Sequence, residues 1–158
     1  MRNIVVHYTC SMTTKDDSFL KLDNQLCFAL YSTSLAMEQL YRKLLQDLTL
    51  TYPQYLVMLC LWEKKELAVM ELGKLLRLES GTMTPLLKRM EKDGLVVRIR
   101  SKEDERKVMI TLTTQGKKLK DKALDVPKQV LDCSCMGKSE LLKLKSTLDS
   151  LREKIALN

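Results

Sequence analysis

The chain has 158 residues, 45% of them apolar, with only 5 Gly and 3 Pro, enough for one domain with a real core and few interruptions to helix. No run of about 18 apolar residues could cross a bilayer, and the first residues lack the apolar stretch and cleavage site of a secretory signal, so a cytoplasmic protein with no membrane partner is expected. The net charge of +7 is localised: residues 77–120 carry 12 Lys/Arg against 6 Asp/Glu, a surplus of +6, and the rest of the chain contributes +1, which is the footprint of a polyanion partner.

Residues 1–18 show no sustained periodicity and read as a loose extension, with Asp16, Asp17 or Ser18 available to cap the first helix. From about Phe19 to Asp47, apolar residues recur at helical spacing without Gly or Pro, predicting a helix of about 40 Å, longer than a small core needs. Part of it is expected to pack against another chain. Tyr52-Pro53 restarts the chain, and Gln54 to Trp62 is apolar nearly all round, as a central buried helix would be.

Val69 to Leu78, a turn at Glu79-Ser80-Gly81, and Thr82 to Lys92 closed by Asp93-Gly94 form a helix-turn-helix outline. Gly94 suits the left-handed position after a helix, and Pro85 is expected near the start of the second helix, where a missing N–H is tolerated. Residues 95–100 and 107–112 alternate as two strands around a charged tip, Ser101 to Arg106. Helices over about Thr114–Leu131 and Ser139–Ala156 come next, joined at Cys133 to Gly137. In the second, Leu141, Leu144, Leu148, Leu151 and Ile155 form a stripe that wants a partner helix.

The five cysteines stand at positions 10, 27, 60, 133 and 135, an odd number with no disulfide-framework spacing, which fits a reducing compartment. On a helix, Tyr31 and Tyr41 each lie within about 40° of Cys27 around the axis, placing a thiol and two phenols on one stripe. Tyr41 is nevertheless about 21 Å further along that axis, far beyond hydrogen-bond reach, so a meeting of the two requires a second subunit. Cys60 sits in the apolar run Tyr55 to Trp62 and is expected to be core. Cys10 lies in the extension. A Cys-x-Cys metal site at Cys133 and Cys135 is disfavoured because the lone histidine is His7 and four ligands at zinc spacing are absent. No cofactor is implied.

From about Leu22 to the C-terminus the chain resembles the MarR family of winged-helix regulators, and within it the organic hydroperoxide regulator branch. The resemblance is carried by LDNQLCFALYSTS, LTYPQYLVMLCLWE, SGTMTPLLKRMEKDGLV and RSKEDERKVMITLTTQG. The first of these, with its cysteine, is the specific one. The fold it implies is mainly α with a small β-wing: a single MarR-type domain over residues 19–158, with the winged helix at about 53–113 and dimerisation helices at about 19–47 and 114–156. Its implied function is a homodimer that represses a double-stranded DNA operator and releases it when organic hydroperoxide oxidises the first-helix cysteine.

For DNA, the second helix of the pair is expected in the major groove, with Ser80, Thr82, Thr84, Lys88 and Arg89 on bases or flanking phosphates. Similar proteins use an acid-x-Arg pair at the wing tip, which corresponds to Asp104 orienting Arg106 into the minor groove. Arg100, Lys102 and Lys107 would contact phosphates. A solvated charged face is the usual meaning of a Lys/Arg cluster, but it does not explain why a helix-turn-helix, a β-ribbon and nearly all the net charge coincide.

A thiol reacts as thiolate, a form favoured by helix N-termini and by donors such as phenols. The resemblance implies that Tyr41 and Tyr52 of the other subunit hold the Cys27 thiolate while Tyr31 lines the same pocket. It also implies a resolving thiol near the C-terminal helix junction, for which Cys133 is favoured, with Cys135 and a small thiol from solution as alternatives. The bland reading of Cys27 is a small core residue. Rival functions are a repressor of this fold released by a lipophilic or phenolic ligand, a thiol peroxidase, and a nucleic-acid protein without sequence preference. For the peroxidase, no histidine base adjoins a nucleophile, and a non-enzymatic protein is expected.

Overall fold

The computed structural model describes residues 17–101, 104 and 107–157; the expectations for Cys10, His7, Asp16, Lys102 and Arg106 lie outside the described residues. Two compact units are present, one ending at Met37 and the other starting at Glu38. The expected fold class is borne out, a mainly helical chain with a small antiparallel sheet.

The first helix is shorter than its periodicity predicts. Residues Asp17–Leu20 and Leu22–Asn24 form 3-10 turns, and α1 covers Leu26–Leu44. The side-chain amide of Asn24 donates to the carbonyl of Ser18 at 2.8 Å, and that of Gln25 donates to the carbonyl of Phe19. These bonds hold the approach in tight turns, the local competition with helix that Asn and Gln amides can supply. Cys27 is therefore the second residue of α1 rather than a few turns inside a longer helix. At the other end, Thr49 adopts a left-handed φ of 55° after a further 3-10 turn at Gln46–Leu48, so the helix does not reach Asp47.

Helix α2 (Tyr52–Lys64) begins two residues before the expected Gln54. Gln54 accepts a hydrogen bond from the Thr51 amide at 2.8 Å, closing the first turn, and Pro53 sits where a helix needs no N–H. A short strand not foreseen from the sequence, β1 (Glu66–Ala68), leads into α3 (Val69–Leu76). The turn of the helix-turn-helix is built on Arg77, at φ 55°, not on Gly81. Helix α4 (Ser80–Lys92) starts at Ser80, so Gly81 belongs to its first turn and Pro85 lies inside the helix rather than near its start. Proline in that position removes one ladder bond and crowds the carbonyl four residues back, here that of Gly81. Gly94 takes the expected left-handed position, at φ +71°.

Strands β2 (Val96–Arg100) and β3 (Val108–Leu112) pair antiparallel from Val96↔Leu112 to Arg100↔Val108. On its other edge β3 pairs with β1, Leu67 opposite Ile110, giving the order β1-β3-β2. The helix expected over Thr114–Leu131 is two, α5 (Thr114–Ala123) and α6 (Val126–Ser134). Pro127 explains the break: it cannot donate to Ala123, and its ring clashes with that carbonyl in a continuous helix. Helix α7 (Lys138–Ala156) ends the described chain.

The core lies in the second unit. Tyr55, Val57, Met58 and Leu61 of α2 meet Leu72 of α3, Met83, Leu87 and Met90 of α4, and Ile110 of β3. The four buried residues of α4, Met83, Leu86, Leu87 and Met90, keep helical spacing and fix which face it turns outward. Neither α1 nor α7 contributes a buried residue, and Leu26, Leu142 and Ile155 are 58%, 58% and 64% exposed.

Candidate functional site

On α4, burial of the Met83–Met90 face leaves Ser80, Thr82, Lys88 and Arg89 exposed and Thr84 half-buried. In the wing, Arg100 and Lys107 are exposed, at the ends of β2 and just before β3. The tip is closed by Ser101 N donating to Lys107 O at 2.9 Å and Lys107 N donating to Asp104 O at 2.8 Å. Asp104, expected to orient Arg106, has the Lys107 ammonium 3.7 Å from its carboxylate. That pair is solvent-exposed and holds Lys107 only weakly. Arg98, which the sequence did not single out, is bound instead to α4, its guanidinium 3.6 Å from the Glu91 carboxylate.

The phenols converge. Tyr41 of α1 and Tyr52 of α2 stack in tilted fashion with ring centroids 4.4 Å apart, and Tyr55 lies 6.0 Å from Tyr41. Burial, together with its neighbours Tyr52 and Tyr55, pushes the Tyr41 hydroxyl up to about 12. Burial raises Tyr52, and burial with Tyr52 nearby raises Tyr55. All three therefore remain O–H donors at neutral pH, able to hold an anionic sulfur. Tyr55 was missed because its run is apolar throughout. Tyr31 is exposed on α1.

Cys27 is an exposed free thiol in the first turn of α1, where backbone N–H groups lack helical partners. Cys133 is exposed in the last turn of α6, and Cys135 caps that helix at φ 54°, also exposed. Cys60 is half-buried against the core, its thiol pushed up by burial and then by Glu63, in keeping with a packing role. Among the described residues no three His, Cys, Asp or Glu side chains gather to hold a metal, and no helix is long and apolar enough to cross a membrane.

Comparison with known proteins agrees with the winged-helix fold. The family model described as transcriptional regulator SarA/Rot matches residues 39–123. The chain is 52% identical to the organic hydroperoxide resistance transcriptional regulator of Bacillus subtilis over 134 residues, which is 85% of this chain and 91% of the relative. AbfR, a protein of Staphylococcus epidermidis, is similar in fold. Its reduced form bound to DNA superposes with a TM-score of 0.75 at 35% identity, covering 87% of this chain and 94% of AbfR. Its disulfide form matches with a TM-score of 0.62 at 38% identity, covering 84% and 93%. These relatives are regulators rather than enzymes, and the chain belongs to the SarA/Rot-type branch of the MarR-family winged-helix transcriptional regulators, with the organic hydroperoxide regulators.

Proposed function

We propose that the chain is a cytoplasmic, homodimeric repressor that binds a pseudo-palindromic operator when reduced and lets go when organic hydroperoxide oxidises Cys27. The observation that carries this reading is the Tyr41–Tyr52 pair, two protonated phenols 4.4 Å apart in a chain that also offers an exposed first-turn cysteine. Two long helices without buried residues support the dimer, since Leu26, Leu142 and Ile155 on them stay exposed among the described residues. The DNA-bound and disulfide forms of AbfR support DNA binding and thiol chemistry in a protein of this fold.

In the proposed dimer, Tyr41 and Tyr52 of the partner subunit donate to the Cys27 thiolate and Tyr31 borders the pocket. The sulfur attacks the distal oxygen of the hydroperoxide; the O–O bond breaks, Cys27 becomes a sulfenic acid, and the alkoxide leaves as alcohol after protonation. A second thiol, Cys133 first and Cys135 next in order, then displaces water to form a disulfide. On DNA, α4 enters the major groove with Ser80, Thr82, Thr84, Lys88 and Arg89. Arg100, Lys102 and Lys107 meet phosphates, and Arg106, oriented by Asp104, enters the minor groove.

A gel shift on the protein's own upstream region tests this, with and without an alkyl hydroperoxide, for the wild type and Cys27→Ser. Release of the wild type alone is expected. Release of both, or of neither, would overturn the sensor reading, and release of both by a phenolic ligand would favour the ligand-sensing alternative.

A further inference from the structure

We propose that Trp62 is a positioning residue, carrying a rearrangement at the Tyr41–Tyr52 pair to the base of the wing and the end of the recognition helix. This inference rests on the redox reading above for its biological trigger, but its physical content is a coupling within one subunit. Four aromatic rings form a continuous line. Tyr52 and Tyr41 are 4.4 Å apart, Tyr41 and Tyr55 6.0 Å, and Tyr55 meets Trp62 edge-on at 6.3 Å. Packed side chains in contact pass displacement from one to the next.

The line ends on backbone rather than on another side chain. The indole N–H of Trp62 donates to the carbonyl of Gly116, in the first turn of α5, at 2.9 Å. Gly116 in turn sits so tightly on the chain before the wing that a Cβ there would lie 2.2 Å from the Leu95 carbonyl oxygen. Thr113 fastens the same place, its hydroxyl donating to Gly94 O at 2.6 Å and its amide to Leu95 O at 3.1 Å. Gly94 and Leu95 connect α4 to β2, so the two parts proposed to touch DNA both hang from the point that Trp62 holds. Trp62 also borders an open recess with Leu59, Leu124 and Pro127.

A ring that packs against Tyr55 and bonds the wing base is placed to feel both ends, and a coupling between two sites acts equally in either direction. Trp62 is the sole tryptophan of the chain, so its emission reports this one position. Reduced full-length protein is titrated with duplex DNA from its own upstream region and, separately, treated with tert-butyl hydroperoxide without DNA. The emission is expected to shift in both experiments, and in Cys27→Ser only with DNA. Trp62→Phe, which keeps a ring but loses the donor, is expected to bind DNA when reduced and to need several-fold more hydroperoxide for release.

Emission that responds to neither DNA nor oxidant overturns the proposal, as does a folded Trp62→Phe released at the wild-type hydroperoxide concentration. Should Trp62→Phe fail to fold, the two wild-type emission experiments decide. If DNA shifts the emission while hydroperoxide neither shifts it nor releases the wild type, the redox trigger falls and Tyr41→Phe decides the coupling: a changed DNA-induced shift supports it and an unchanged one overturns it.

Discussion

Glu91 grips Arg98 twice: its carboxylate accepts from the Arg98 backbone N–H at 3.3 Å and lies 3.6 Å from the guanidinium. One residue near the end of α4 thereby fixes the strand beyond the turn, so the wing has a defined angle to the recognition helix. Buried in this arrangement, the Arg98 Nε finds no partner among the described residues, which leaves the site dependent on the Glu91 contacts. Glu91→Ala is expected to cost about 1 kcal/mol in stability, the worth of one hydrogen bond with a partly screened ion pair, and to weaken operator binding through the loosened wing. Urea denaturation alongside fluorescence anisotropy on labelled operator measures both.

Contacts to phosphate and to bases separate by their salt response. Arg100→Ala and Lys107→Ala are each expected to weaken binding to any duplex alike and to lower the slope of log affinity against log salt by about 0.9. Thr82→Val, which keeps the shape and removes the hydroxyl, is expected to reduce discrimination between operator and random DNA with little change in that slope. Affinities measured at several salt concentrations on both duplexes check this.

The Tyr41 phenol gives the fold an alkaline limit. Its folded value is about 12 against an ordinary 10.0, so below pH 10 it is protonated in both states and its contribution is complete. Between those values the unfolded chain ionises first, and stability falls as pH rises. Tyr41→Phe is expected to flatten that fall, Tyr52 and Tyr55 supplying what remains. Chemical denaturation at a series of pH values from neutral upward reads the slope.

Gly116 is a place where one methyl group matters. Gly116→Ala puts a carbon against the backbone oxygen of Leu95, which cannot step aside as a flexible side chain would. A loss of about 1–3 kcal/mol is expected, the range for overpacked sites, measured as a lower thermal midpoint. Gly137→Ala, with nothing within 4 Å, serves as the control.

The resolving thiol can be assigned by electrophoresis. Hydroperoxide-treated wild type is expected to run as a covalent dimer under non-reducing conditions and as a monomer after reduction. Cys133→Ser should remove that band if Cys133 is the partner, while Cys135→Ser should keep it; the opposite pattern reassigns the role to Cys135.

The helix-turn-helix and wing were legible because each has local punctuation: Asp93-Gly94 stops one helix, and two alternating runs flank a charged tip. The face of α4 was legible for the same reason, its apolar spacing leaving Thr82, Lys88 and Arg89 outward. Strand β1 escaped because three residues carry no period, and only pairing with β3 makes Glu66–Ala68 a strand. Phe19 to Gln25 continues a helical apolar pattern, yet the Asn24 and Gln25 amides bond back to Ser18 and Phe19. The apolar period continues across Pro127, yet the proline ring ends the first helix there and starts a second. The meeting of Tyr41 with Tyr55 and the seating of Trp62 on Gly116 join residues far apart in sequence or hidden in a uniformly apolar run, so only the folded chain reveals them.

The bare faces of α1 and α7 bear on how the protein lives as well as how it binds. In the proposed dimer a newly made chain completes its fold only when it meets another, so thermal resistance should climb with protein concentration. At low copy number, unpaired chains would present apolar helices to proteases and chaperones. Turnover would then set a floor beneath which the regulator cannot accumulate, whatever its affinity for DNA.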